Sequence, residues 1–269
     1  MTRLPSHRKT PHRMQFSLTA MLSAATCCAM LMACSGESES ELISSAKASI
    51  EKKDTKSAVI QLKNALAANP NSGKARLMLG QTMLEQGDAA AALVELRKAQ
   101  ELQVPDEQVV PDMARAMLLV GEDSKLIAQY GSLDLREPAA GADLKTSLAT
   151  ALAVQGDTTK AGERAEEALR LKPGYAPALI VQARLRALAG APDDAIALLD
   201  QVLGSEPANV RAGTLKADML LYGKRDVEGA LAAFRKVLET QPDSVIARAG
   251  TINILFSQQK LPEARAEFE

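Results

Sequence analysis

Aromatic side chains are scarce in this chain of 269 residues: they make up 3 % of it, and tryptophan is absent. A core of large interlocking rings is therefore excluded, and packing has to come from aliphatic and small side chains, which dominate an apolar fraction of 46 %. Close-packed helices suit that composition. Reactive residues are scarcer still. Both histidines, His7 and His12, and two of the three cysteines, Cys27 and Cys28, lie ahead of Ala33, and nothing after Cys34 is His or Cys. A mature chain beginning at Cys34 would hold no Ser/His or Cys/His pair, no His-ligated metal and no CxxC redox motif. No catalytic residue, metal site or cofactor is expected, and the chain reads as a non-enzyme. Charge of one sign is also lacking: 32 basic against 33 acidic residues leave a formal charge of -1, with no global field to draw in nucleic acid.

One long apolar run is present, and it lies at the amino terminus. Arg3, Arg8, Lys9 and Arg13 come first without an acid among them, and Phe16 to Ala33 then carry no charge. This is the basic and apolar order of an export signal, diluted by Ser17, Thr19, Ser23 and Thr26 below what a spanning helix needs. The run closes on Leu31-Met32-Ala33-Cys34, which resembles the bacterial lipobox, with Met32 the departing position. The resemblance implies a signal peptide over 1–33, acylation of Cys34 and a lipid-anchored chain. Residue 35 is Ser and not Asp, which by the same analogy points to the periplasmic face of the outer membrane of a bacterial envelope. Ser35 to Ser40 read as a polar tether within a segment 34–40.

From 41 to 269 the chain is periodic. Pro70, Pro105, Pro138, Pro173, Pro207 and Pro242 recur about 34 residues apart, and Gly87, Gly121, Gly156, Gly190 and Gly223 keep the same clock between them. Each unit is thereby split into two helix-length halves. Gly ends the first half by taking a left-handed conformation, the Asp after it caps the second half, and Pro stops that. The units run 39–72, 73–106, 107–140, 141–175, 176–209 and 210–244, with an incomplete seventh from 245. In the third, Gly131 interrupts a second helix that is expected to be bent or short; the sixth carries one extra residue near Arg225-Asp226. The seventh stops inside its second helix, so a truncated array, or an end covered by another chain, is expected.

Leu79-Gly80, Met83, Ala92, Leu96 and Ala99 in the second unit, and Leu148-Ala149, Leu152, Ala161, Ala165 and Ala168 in the fourth, follow the tetratricopeptide pattern of small and large positions. The expected fold is an all-α, right-handed superhelical solenoid of tandem tetratricopeptide repeats. Two strings are more particular: Ala58-Val59-Ile60-Gln61-Leu62-Lys63-Asn64-Ala65-Leu66, and Pro105-Asp106-Glu107-Gln108-Val109-Val110-Pro111 followed by Ala114-Arg115-Ala116-Met117-Leu118. With the lipobox they resemble the PEP-CTERM system tetratricopeptide-repeat lipoproteins, the PrsT family. That resemblance implies an envelope scaffold in exosortase-type protein sorting and exopolysaccharide production. The alternative from repeat lipoproteins at large is an array that braces an export or pilus-assembly machine.

In this architecture the first helices line a concave face. Position nine of the successive units reads Lys47, Gln81, Arg115, Thr150, Arg184, Asp218 and Asn253. With Lys74 and Arg211 at position two, and Leu77, Leu84, Leu118, Ile180 and Phe256 interleaved, the stripe is mildly basic and suited to a protein or peptide partner in the envelope. Adjacent acids at Glu166-Glu167 and Asp193-Asp194 do not face one another across a cleft, as a two-carboxylate hydrolase requires. They read as a solvated face and a helix start. Tyr130, Tyr175 and Tyr222 show no common spacing.

Overall fold

A computed structural model describes Thr2 and residues 37–268, and among these residues every regular element is a helix. The expected signal peptide, and Cys34, lie outside the described residues. Fourteen helices follow one another: α1 (Glu39–Glu51), α2 (Thr55–Ala68), α3 (Gly73–Glu85), α4 (Ala89–Glu101), α5 (Asp106–Leu119), α6 (Asp123–Tyr130), α7 (Pro138–Val154), α8 (Thr158–Leu171), α9 (Ala176–Leu188), α10 (Pro192–Ser205), α11 (Val210–Asp218), α12 (Val227–Thr240), α13 (Val245–Ser257) and α14 (Leu261–Phe268). They pair in order, α1 with α2 through α13 with α14, and each pair leans on the next. The core is accordingly a string of shared clusters, of which one runs from Leu77 to Ala151 through three units. The expected all-helical solenoid is the fold observed.

Short polar side chains set the helix starts. Ser38 opens α1 in a reciprocal box with Glu41, whose carboxylate takes the Ser38 N–H at 2.8 Å. The first turn of α1 thus already includes Glu39 and Ser40, so the tether expected up to Ser40 ends sooner. Ser72, Asn209 and Ser244 cap α3, α11 and α13 by accepting the N–H three residues on, without a returning carboxylate. For the second helices, Asp54, Asp88, Asp157 and Asp226 accept from the N–H three residues on, at 2.9 to 3.1 Å.

Three departures have local causes. The left-handed turn residue is Gly at 87, 121, 156 and 190, with φ of 75 to 83°, but the sixth unit places Arg225 there (φ 57°) and not Gly223. Gly223 instead ends a π-helical turn, Met219–Gly223, which absorbs the extra residue. Pro138 does not stop a helix: it is the first residue of α7, where its missing N–H costs nothing, so the fourth unit's first helix begins before 141. Finally α6 has only 8 residues. Tyr130 closes it, 3 % exposed, with its hydroxyl within 3.1 Å of both Gln100 Oε1 and Met113 Sδ. Leu135 from the following loop fills the place a longer helix would have taken.

Candidate functional site

First helices, with Tyr175 just ahead of α9, line the principal cleft. Its volume is about 720 Å³, and its wall includes Pro111, Arg115 and Leu119 of α5, Thr146 and Thr150 of α7, and Arg211 of α11. Side chains of the third and sixth units share one cavity, so the array curls far enough to bring helices three units apart to the same space. A neighbouring cleft of about 200 Å³ shares Thr150 and Arg211 and adds Val154, Arg184 and Leu188. Arg184 and Leu188 go on to meet Met219 at the π-helical turn.

The acids and bases of this groove differ in how they are partnered: the principal cleft holds Asp112 and Asp143 beside Arg115 and Arg211, whereas the neighbouring cleft has Arg184 and Arg211 and no carboxylate in its wall. Asp143, half-buried in the principal cleft, already accepts the hydroxyl proton of Tyr175, and Asp112 accepts from Gln81 Nε2 at 2.8 Å. Burial and then the Asp143 carboxylate push the Tyr175 phenol above its usual range, so it stays a donor. By contrast Arg115, Arg184 and Arg211 make no side-chain hydrogen bond or ion pair among the described residues. Partial burial lowers the Arg184 guanidinium, and the nearby Arg211 charge lowers it further. Two like charges held together without a counter-ion form a place where a bound carboxylate relieves repulsion.

The stripe read from sequence is thereby sorted. Arg115, Leu118 and Arg211 come together in the principal cleft, and Arg184 joins Arg211 in the next. Leu77 and Leu84 do not belong to a contact surface: they are 8 % and 5 % exposed and sit in the core, because their side of the first helix faces the neighbouring helices and not the groove; Ile180, 3 % exposed, is a core residue that also lines the neighbouring cleft. Lys47 and Lys74 are exposed at the amino-terminal end, where Lys74 acts on the Glu39 carboxylate. Asn253 and Phe256 are exposed at the other end. Asp218 is half-buried, and burial raises its carboxyl.

Four apolar residues at the far end of the first helices are not among those named for the stripe. Leu119, Val154 and Leu188 end the first helices of three successive units, Tyr222 lies in the π-helical turn of the next, and all four are exposed, between 62 and 76 %. Their spacing of 34 or 35 residues was visible in the sequence. The acid pairs and the other tyrosines have structural settings: Glu167 bonds Arg164 at 2.7 Å, and Asp193 and Asp194 lie in the first turn of α10. Among the described residues no group of three or more carboxylates, His or Cys gathers as a metal site, and no helix is long and apolar enough to cross a membrane.

Comparison with known proteins agrees with this architecture. A tetratricopeptide repeat profile matches residues 49–118 and 152–219, and a second tetratricopeptide repeat profile matches residues 215–269. Among solved structures, a tetratricopeptide repeat protein from Parabacteroides merdae ATCC 43184 is 20 % identical, with 87 % of this chain and 91 % of that one aligned at a TM-score of 0.65. PilW, a widely conserved type IV pilus biogenesis factor, is 15 % identical over 78 % of this chain and 97 % of its own, with a TM-score of 0.59. Pseudomonas aeruginosa pilF is 17 % identical over 78 % and 95 %, with a TM-score of 0.55. At these identities the likeness is one of fold. No curated protein matches the chain.

Proposed function

The chain belongs to the tetratricopeptide repeat family, and from that premise we propose that it is a non-enzymatic scaffold that holds protein segments of the cell envelope in the groove of its first helices. The observation that carries this reading is the trio Arg115, Arg184 and Arg211, unpaired along a continuous cleft beside exposed apolar side chains. Such a surface is stable without a partner but is relieved by one that brings carboxylates and apolar groups together.

The lipobox-like Leu31-Met32-Ala33-Cys34 supports attachment through an acylated Cys34, and Ser35 supports the outer membrane's periplasmic face as its location. The strings that resemble the PrsT family are what supports a role for the scaffold in exosortase-type sorting and exopolysaccharide production. The second reading, bracing of a pilus or export machine, is favoured by the fold shared with PilW and pilF.

Affinity capture from cross-linked envelopes, with Cys34→Ser and the pair Arg115→Glu, Arg184→Glu as controls, tests the proposal. Sorting-protease or polysaccharide-synthesis proteins are expected with the unaltered chain and lost with both controls. A secretin or pilus component in their place selects the second reading, and capture unchanged by the arginine pair refutes the groove as the contact surface.

A further inference from the structure

Four residues past the cap of the first helix, the first and fifth units bury Leu42 and Leu179 against their second helices, 5 % and 4 % exposed. In the second and seventh units the same position is arginine. Arg76 donates to the Pro70 carbonyl at 3.2 Å and to the Glu95 carboxylate of α4 at 2.6 Å; Arg248 donates to the Pro242 carbonyl and, at 3.0 Å, to the Glu267 carbonyl of α14. The sixth unit has Gly213 there, four residues past Asn209. Its counterparts of Pro70 and Glu95 are Pro207 and Ala233, the latter seven residues past the cap Asp226 as Glu95 is past Asp88. No side chain at residue 213 spans from one to the other.

A pocket stands in that place. Leu203 of α10, Pro207, Val210 and Gly213 of α11, and Ala233 and Val237 of α12 enclose about 130 Å³. A Cβ on Gly213 would lie 2.5 Å from Val237 Cγ2, so Val237 takes the room of the stem and leaves the room of the far end open. An apolar cavity of about 150 Å³ is enough to hold benzene, so this one takes an aliphatic group of about four or five carbons. It shares no lining residue with the principal cleft or its neighbour, and two of its walls are second helices.

Charge at the mouth limits the other end of the ligand. Lys216 and Lys236 line it with one carboxylate, Asp200, which already accepts from Lys216. Asn209 is engaged by the Ala212 N–H and by Glu206, and Thr240 by the Val237 carbonyl. Lys236 is exposed and makes no side-chain hydrogen bond or ion pair among the described residues. The free polar side chain in the wall is therefore a cation, and Glu239, the next acid on α12, is not part of the wall. A guanidinium like those of Arg76 and Arg248 would meet two ammonium groups here, and alanine where the second unit has Glu95.

We propose that this pocket binds a small aliphatic carboxylate, its alkyl end between Gly213 and Ala233 and its acid against Lys236. A leucine at the C-terminus of a polypeptide has this chemistry, and so has a free branched short-chain acid. The site is separate from the groove and does not depend on the scaffold reading.

The test is methyl NMR of the full chain in detergent micelles. The probes are 4-methylpentanoate, 4-methylpentanamide and a short peptide ending in leucine, with its terminal carboxyl free or amidated. The acid is expected to shift the Leu203, Val210 and Val237 methyl signals saturably, and the amide to bind about threefold to fivefold more weakly, the scale of one exposed ion pair. Lys236→Glu, at an exposed site, should remove the preference for the acid. Ala233→Met, which fills the pocket from α12, should abolish the shifts while the unfolding midpoint holds or rises. Either the free acid or the free-carboxyl peptide binding more tightly supports the proposal, and the order between them identifies the source. Absence of saturable shifts, equal affinity for acid and amide, or shifts that survive Ala233→Met, as partition into the micelle would give, overturns it. None of these results bears on envelope capture through the groove.

Discussion

Gly80 tests whether the close crossing of α3 and α4 depends on the absence of one methyl group. A Cβ built at Gly80 would stand 2.7 Å from Leu96 Cγ, 2.9 Å from its Cδ2 and 3.2 Å from the Ala92 carbonyl oxygen. Leu96 is fully buried in the shared core and has no free space to turn into. Overpacking of this kind costs about 1–3 kcal/mol, whereas Gly to Ala inside a helix recovers about 1 kcal/mol of propensity. Gly80→Ala alone should therefore destabilise by about 0–2 kcal/mol. Leu96→Ala alone should cost about 2–5 kcal/mol through the cavity it leaves. In the Leu96→Ala background the new methyl meets no leucine, so Gly80→Ala should turn neutral or stabilising, by up to about 1 kcal/mol. The coupling between the sites is then the overpacking energy itself. Because repeat energies act locally along a solenoid, amide exchange in α3 and α4 should report the change beside urea unfolding. Equal effects of Gly80→Ala in both backgrounds, to within about 0.5 kcal/mol, would refute the steric argument.

Other expectations concern single groups. Asp218 has its carboxyl raised by burial, so its ionisation opposes folding: the penalty is complete above the folded-state value and vanishes below the unfolded one. Asp218→Asn should thus raise the melting temperature at pH 7, with the gain fading as pH falls through the carboxylate range; a gain that persists at pH 2 would contradict this. Arg225 holds a left-handed φ of 57° where four other units use Gly, so Arg225→Gly should stabilise by about 0.5–1 kcal/mol, and Gly87→Ala, with open space around it, should lose a similar amount. Denaturant midpoints of the two variants shifting in the same direction would refute it. Tyr130→Phe removes a buried hydroxyl that bonds across from α6 to Gln100 of α4; a loss of about 1 kcal/mol in thermal unfolding is expected, and no loss would mean that the ring alone holds the short helix.

The helical reading was legible because its causes are local. Asp88, Asp157 and Asp226 cap helices through bonds to residues three further on, and Gly87 or Gly156 turns the chain whatever surrounds it. The misreadings arose where a residue's meaning depends on neighbours distant in sequence. Pro138 looks like its counterparts, but α6 ends early and leaves it to start a helix. Leu84 and Leu118 stand at equivalent positions, yet Leu84 is core while Leu118 lines the cleft; one residue past Leu118, about 100° around the helix, Leu119 is exposed.

Period, pairing and turn chemistry were thus determined by the sequence alone, since the interactions that set them span one helix or one turn. Which arginines share a cavity was decided only by the tertiary structure. Arg115 and Arg211 stand three units apart and meet around one cleft because small rotations at successive interfaces between units accumulate along the array. No single interface shows that sum, and no local pattern in the chain encodes it.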